Sequence, residues 1–138
     1  MSPSRYDWRA VVARLLFSLL LVFSIYNPSG YSFWHWVQSP IGNPWAKAFV
    51  GVVLFGIHWL VWRAVVAVLR PYGVAFIAAL CGTGFIAFCE LGLVDRSDTD
   101  AQLIALLLTL VLIQTIGLTL ASLMHRLTGV LHVEEVPH

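Results

Sequence analysis

Long apolar stretches set the strongest limit on how this chain can fold. From Ala101 to Met124 there is no charged residue, and three further stretches, at about 8–26, 46–69 and 74–94, are mainly apolar with one or two charged residues each. About 20 consecutive apolar residues cross the hydrocarbon core of a bilayer as one α-helix. Charged residues make up only 11% of the chain, whereas soluble domains carry about 25%. The sequence therefore predicts an all-α polytopic membrane protein with four transmembrane helices.

The short connections between these stretches predict an antiparallel bundle in a single membrane domain, 1–138. The segment Arg70-Pro71-Tyr72-Gly73 ends the second span with helix breakers, and so short a turn forces the next helix to pack against it. Small residues in the third span, Ala78 and Gly82 among them, allow close approach of helices in lipid. We expect that span to be central, and we expect a tail at 125–138 after the fourth.

Residues 27–45, the aromatic lid, interrupt the apolar sequence between the first and second spans. The turn sequence at 27–30 opens the lid, and Pro40 and Pro44 close it. A short interfacial helix is predicted near 32–38, because tryptophan and tyrosine rings favour the boundary between lipid and water. The aromatic side chains exceed what anchoring requires, which indicates a surface for docking a protein partner. The candidate docking residues are Tyr31, Phe33, Trp34, His35 and Trp36.

The arginines predict the orientation of the chain in the membrane. If the N-terminus is inside, one side of the bilayer receives six basic residues, namely Arg5, Arg9, Arg14, Arg63, Arg70 and Arg126. The other side receives only Lys47 and Arg96. Basic residues that flank spans stay cytoplasmic, so both termini are expected in the cytoplasm, with the lid outside. The net charge of +1 argues against nucleic acid as a partner.

Four polar residues are predicted at a similar depth near the middle of the spans: Ser18, His58, Thr83 and Gln114. Polar groups in hydrocarbon are costly and usually face the interior of a bundle. One interpretation is a hydrogen-bonded layer that fixes the register of the helices. The other is a proton relay or ligand site at His58, with Gln114 and Thr83 lining a path.

Lys47 and Glu90 lie near the outer ends of the second and third spans, where the sequence predicts an ion pair between them. Asp95, Asp98 and Asp100 lack the spacing of a calcium loop and are expected to cap the fourth helix. Only His58 is a central histidine, which argues against haem held by two histidines within one subunit. No hydrolytic constellation is present. We therefore expect no cofactor, no metal and no enzyme activity.

The run at residues 27–36, after a basic start and a short apolar helix, resembles a family of small bacterial inner-membrane proteins that is defined only as a domain of unknown function. The resemblance rests on its core, Asn27-Pro28-Ser29-Gly30-Tyr31-Ser32. It implies a polytopic protein of the bacterial inner membrane and no particular activity. Small multidrug exporters have a similar size, but their essential acid lies in the first helix, where this chain has none.

The sequence favours a non-catalytic membrane protein that acts as an accessory or assembly subunit, with a protein partner in the membrane or a second copy of itself. One alternative is an oligomeric channel or transporter with a polar path at the middle of the bilayer. Another is a redox or quinone-associated subunit that uses the tryptophan-rich second span.

Overall fold

The computed structural model describes residues 7–131, which are helical apart from short loops and contain no strand. Helix α1 spans Trp8–Ile25, α2 Phe33–Gln38, α3 Pro44–Glu90 and α4 Thr99–Leu131. The prediction of an all-helical chain is confirmed. Three of the described helices, α1, α3 and α4, are long and apolar enough to cross a membrane by length and composition.

Helix α3 contains one residue with non-helical backbone angles, Arg70, at φ 56° and ψ 168°. Pro71 follows it, and a proline cannot donate the backbone hydrogen bond that would continue the helix. Ile77 belongs to the same buried cluster as Val61 and Val65. In a straight helix Ile77 and Val61 would lie about 24 Å apart, so the chain must fold back at Arg70. The fold-back divides α3 into two arms, 44–69 and 71–90.

Both ends of α3 are defined by local sequence. At the start, Asn43 Oδ1 accepts a hydrogen bond from Trp45 N at 2.9 Å, and Pro44 occupies the first turn. At the end, Gly92 has a φ of +73°, and Leu93 N donates to Phe88 O at 3.1 Å. This glycine-based ending supplies partners for the last carbonyl groups of the helix. The third helical stretch therefore ends at Glu90, before the limit of 94 predicted from hydrophobicity.

The main buried cluster draws side chains from α1, both arms of α3, and α4. It contains Leu21, Val61, Val65, Ile77 and Ile113. A second cluster joins Val22 of α1 to Leu107 and Val111 of α4. Van der Waals contact among these buried side chains is the packing that holds the helices together.

Helix α4 is the central helix, and the expectation that the third span would be central is wrong. Helix α4 packs against both α1 and α3, which hardly touch one another. A methyl group placed on Gly117 of α4 would lie 2.7 Å from Cγ1 of Val65, so the backbone of α4 closely approaches α3. In contrast, Ala78 and Gly82 are exposed. The close approach between α3 and α4 is therefore at Gly117, and Ala78 and Gly82 take no part in it.

Helix α4 also continues beyond Met124, where the fourth span was predicted to end. His125 and Arg126 lie within the helix, which extends to Leu131. Charged residues mark where lipid ends, but they are good helix formers and do not stop a helix. The part of the predicted tail from 132 to 138 lies outside the described residues, as does the N-terminal segment 1–6.

Candidate functional site

The lid begins with a tight turn that its asparagine and glycine hold. Ser29 N donates to Asn27 Oδ1 at 2.7 Å, and Gly30 N donates to Asn27 O at 3.4 Å. Gly30 has a φ of +87°, a conformation that other residues rarely adopt. The turn directs the chain from the end of α1 back across the top of α3, where α2 forms.

Two aromatic rings on the inner face of α2 pack closely against glycines. A methyl group on Gly51 of α3 would lie 3.1 Å from Cζ of Phe33, and one on Gly42 would lie 3.2 Å from Nε1 of Trp36. The two rings also meet edge to face, with centroids 6.2 Å apart. Phe33 and Trp36 are therefore packed inward, although the sequence had grouped them with the candidate docking residues.

His35 is also held within the lid. Its Nδ1 lies 2.7 Å from Ser32 Oγ, and its ring stacks on Tyr26 with centroids 5.6 Å apart. These two contacts fix both the position and the plane of the imidazole, so His35 is also an inward-packed residue.

The remaining docking candidates, Tyr31 and Trp34, project outward. Their side chains are 89% and 52% exposed, respectively. The five aromatic lid residues predicted as one surface are thus divided between two faces of the lid. Residues three and four apart share a helix face, which places Phe33 and Trp36 together and turns Trp34 away from them.

Lys47 fastens the lid to α3. Its Nζ donates to Ser39 O at 2.6 Å and to Val37 O at 3.4 Å, and it lies 5.9 Å from the centroid of the Trp36 ring. A cation at the C-terminal end of a helix is favourable for unpaired carbonyl groups. The predicted partner, Glu90, is exposed, and Lys47 contacts the lid carbonyls in place of it. The structure thus shows Lys47 bonded to the lid and not to Glu90, which corrects the prediction of a Lys47–Glu90 ion pair.

A cleft of about 710 Å³ lies beneath the lid. Its apolar walls include Phe33 and Trp36 of α2 with Val50 and Leu54 of α3. Its polar side chains are Ser24, Ser32, His35 and Ser39, with Tyr31 also on the lining. The cleft therefore forms where the end of α1, the lid and the start of α3 converge.

Two of the four polar residues predicted at mid-depth, Ser18 and Gln114, are completely buried, with 0% exposure. Arg14 contacts Ser122, while Val22 packs on Leu107 and Val111, so α1 and α4 run in opposite directions. Ser18 lies one turn from Val22 on α1, and Gln114 lies one turn from Val111 on α4. The two polar residues are therefore at the same level of the bundle. Ser18 Oγ and both amide atoms of Gln114 have no hydrogen-bond partner, which is costly for buried polar groups.

The other two members of the predicted layer, His58 and Thr83, lie elsewhere. His58 is half-buried, and its Nδ1 lies 2.9 Å from Leu54 O in its own helix. Thr83 is exposed and donates to Ala79 O at 2.8 Å. A threonine in a helix can use the carbonyl four residues back, so Thr83 needs no partner on another helix. Within the described residues, the structure does not bring the four residues together.

Sequence reasoning missed the contact between Arg14 and Ser122. Arg14 Nη2 donates to Ser122 Oγ at 2.8 Å, which joins α1 to α4. The sequence analysis used Arg14 only as one of the six basic residues on one side of the bilayer. The available signal was the spacing of Arg14, Ser18 and Val22, which lie four residues apart on one face. That face of α1 is the one that packs on α4.

The acidic loop before α4 is organised by short-range hydrogen bonds. Asp95 Oδ1 accepts from Ser97 N at 2.9 Å and from Ser97 Oγ at 2.7 Å. Both hydrogen bonds lower the pKa of Asp95 because they stabilise its charged form, and the bond from the Ser97 backbone has the larger effect. Asp98 Oδ1 accepts from Asp100 N at 3.0 Å, and so Asp98 is the residue that caps α4.

Over residues 7–131, these features define an all-helical fold with three helices of membrane-spanning length and an aromatic lid between the first two of them. The family of unknown function DUF6524 matches residues 9–138. The match covers nearly the whole sequence, and the chain belongs to that family. The resemblance to an uncharacterised family is confirmed in this respect. Comparison with curated proteins gives no match, and comparison with solved structures gives none either.

Proposed function

We propose that this chain is a non-catalytic integral membrane protein with four spans, which serves as an accessory or assembly subunit in a bacterial inner membrane. The four spans are α1, the two arms of α3, and α4, packed as an antiparallel bundle. The fold-back at Arg70 and the cluster that joins Ile77 to Val61 support this count. The basic residues favour cytoplasmic termini, which leaves the lid on the outer face.

The observation that carries this proposal is the fixed outer surface of the lid. Tyr31 and Trp34 are exposed. The lid beneath them is held by the hydrogen bonds of Lys47 and by the Ser32–His35 contact. The packing of Phe33 and Trp36 against glycines also holds it. Aromatic side chains on a rigid support lose little entropy on binding and are enriched at the centres of protein interfaces. The expected partner is another membrane subunit or a second copy of the chain.

Site-specific photocrosslinking in native membranes tests this proposal. A benzophenone amino acid at position 34 is expected to give a discrete protein adduct, whereas the same amino acid at position 36, on the inner face of the lid, is expected to give none. Two differently tagged copies of the chain distinguish a homo-oligomer from a different subunit. A position 34 variant that forms adducts only with lipid would refute the docking surface.

An oligomeric channel or transporter is the second candidate, and one observation favours it. Ser18 and Gln114 are completely buried between α1 and α4 without a hydrogen-bond partner, and buried polar groups in a membrane protein often mark a pathway. Liposome flux that falls in Gln114→Leu and in Ser18→Ala would support it. Flux that is unaltered in both variants would remove these residues from any transport mechanism.

A further inference from the structure

We propose that the cleft beneath the lid binds one uncharged amphiphile, a molecule with an apolar body and a single hydrogen-bonding head group. Trp34 of the docking surface does not line this cleft, whereas Tyr31 borders both the cleft and the docking surface. Neither site requires the other, so the ligand site can be tested whether or not a protein partner is found.

The size and walls of the cleft suit a small apolar ligand. The volume, about 710 Å³, falls within the range of about 300–1,000 Å³ that is typical of small-molecule sites. Phe33 and Trp36 contribute aromatic walls on the lid side, and Val50 and Leu54 contribute aliphatic walls on the α3 side. Because Gly51 and Gly42 hold the two aromatic rings in place, the wall exists before a ligand arrives, which lowers the entropic cost of binding.

The polar groups of the lining restrict the ligand to one uncharged head group. No Asp, Glu, Lys or Arg is among the lining residues described, and a charge without a partner is costly to bury. Two of the serine hydroxyls are already used locally, since Ser24 donates to Leu21 O and Ser39 donates to Trp36 O.

His35 is the group that would recognise the head group. Ser32 Oγ is hydrogen-bonded to Nδ1 of His35, and Tyr26 stacks on the ring. These contacts leave the second ring nitrogen, Nε2, for a ligand. A neutral imidazole bonded to a hydroxyl at one nitrogen can donate or accept at the other. The chemistry thus fits a carbonyl or hydroxyl oxygen attached to an apolar chain or ring.

Two sources supply such an amphiphile in a membrane, namely an uncharged glycerolipid such as a diacylglycerol, and an isoprenoid quinone. Both place an uncharged oxygen beside an apolar body, and both partition into the depth at which the lid lies. The probes that represent them are a diacylglycerol with brominated acyl chains and a short-chain benzoquinone, both of which are uncharged. Each quenches tryptophan fluorescence on close contact.

Single-tryptophan variants of the full chain in detergent micelles provide the test. One variant retains Trp36, which lines the cleft, and its control retains Trp34 on the outer face of the same helix; the other five tryptophans are replaced by Phe. Saturable quenching of Trp36, at least twofold deeper than that of Trp34, is expected with one of the two probes. The probe that saturates identifies the source.

Substitutions within the cleft check that saturation reports this site. Val50→Phe fills the wall, and His35→Phe keeps the ring that stacks on Tyr26 but removes both nitrogens. Each is expected to weaken probe binding about tenfold or more, which corresponds to about 1.4 kcal/mol. Val53→Phe, on an exposed face of the same helix, is expected to leave binding unchanged. Leu54→Phe replaces Val50→Phe if that variant loses helicity by circular dichroism.

Quenching that rises linearly and equally at Trp36 and Trp34 with both probes would overturn the proposal, since it would show partition into the micelle alone. Saturable quenching that survives both Val50→Phe and His35→Phe would overturn it as well. The crosslinking result at position 34 is independent of either outcome.

Discussion

Gly117 is the residue at which one added methyl group has the least room among the glycines of the described chain. The methyl carbon would lie 2.7 Å from Cγ1 and 2.8 Å from Cγ2 of Val65, which is completely buried. Neither the helix backbone nor a short branched side chain can yield easily. We expect Gly117→Ala to lower the free energy of unfolding by about 1–3 kcal/mol, the usual cost of overpacking. Reversible unfolding in mixed micelles measures it.

Two controls separate this clash from the general effect of alanine. Gly82→Ala, where an added methyl group meets nothing within 4 Å, should be neutral or stabilising because alanine is the better helix former. Val65→Ala removes the two methyl groups that would clash, so in that background Gly117→Ala should cost much less. Equal costs in both backgrounds would show that α3 does not touch α4 here.

Gln114 is predicted to tolerate leucine. Its amide atoms are buried without a partner, and replacing an unpaired polar group with an apolar group of similar shape is nearly neutral or stabilising. Gln114→Leu should therefore leave the thermal midpoint of the purified protein unchanged or raise it, and Ser18→Ala should behave in the same way. A fall of more than about 1 kcal/mol in the free energy of unfolding, the contribution of a typical hydrogen bond, would mean that the amide is hydrogen-bonded in the membrane.

At this scale, the sequence predicted a common depth for four polar residues but carried no information on the direction of each side chain. Of the four residues predicted as one layer, Ser18 and Gln114 are completely buried. The same depth argument failed for Thr83, whose hydroxyl bonds to Ala79 O in its own helix. The face of a helix that meets a neighbour depends on packing, and a nearly uniform apolar sequence such as α3 carries little signal about it.

Among the elements, the fold-back in α3 stores backbone strain at Arg70. Its angles, φ 56° and ψ 168°, fall in a region that is occupied almost solely by glycine and costs other residues of order 1–3 kcal/mol. We expect Arg70→Gly to raise the free energy of unfolding because glycine relieves this strain. Part of the gain is offset, since glycine also increases the conformational entropy of the unfolded chain. Arg70→Lys, which keeps the charge and the strain, is the matched control. If both variants unfold at the same denaturant concentration, the strain is absent.

For the lid as an element, Lys47 should control how firmly α2 is attached. Lys47→Met keeps the apolar length of the side chain but removes the hydrogen bonds to Ser39 O and Val37 O. Amide exchange in 33–39 should become several-fold faster, while exchange in 101–124 stays the same. Lys47→Arg should retain most of the protection, because a guanidinium can also donate to carbonyl groups. If amide exchange in Lys47→Met is unchanged, α2 is attached instead by the packing of Phe33 and Trp36 against glycines.

The helices themselves were predictable because long apolar stretches, caps and breakers act locally. Asn43 and Pro44 start α3, and Gly92 ends it, as turn chemistry requires. The arrangement of the helices was not predictable in the same way. The small residues around Gly82 suggested a central third span, yet the close approach occurs at Gly117. Glycine spacing shows where contact is possible, and complementary shape on the neighbouring helix decides where it occurs.

For the whole molecule, the length of α3 favours four crossings of the membrane over three. As a straight helix, its 47 residues would be about 70 Å long at about 1.5 Å per residue, more than twice the hydrocarbon thickness of about 30 Å. The arms 44–69 and 71–90 would be about 39 Å and 30 Å long by the same rise. Each arm alone matches a bilayer, and the proposed orientation puts the fold-back at Arg70 on the cytoplasmic face.

Cysteine labelling in intact cells distinguishes the two topologies. In a background where Cys81 and Cys89 are replaced by Ser, single cysteines at positions 30, 72, 98 and 127 cover the loops and the end of the fourth span. An impermeant maleimide should label positions 30 and 98 from outside, and should reach positions 72 and 127 only after the cells are opened. Three crossings would place 30 and 98 on opposite sides, because α3 would then carry the chain across the bilayer once. Labelling of 72 from outside would contradict the proposed orientation, in which the fold-back at Arg70 faces the cytoplasm.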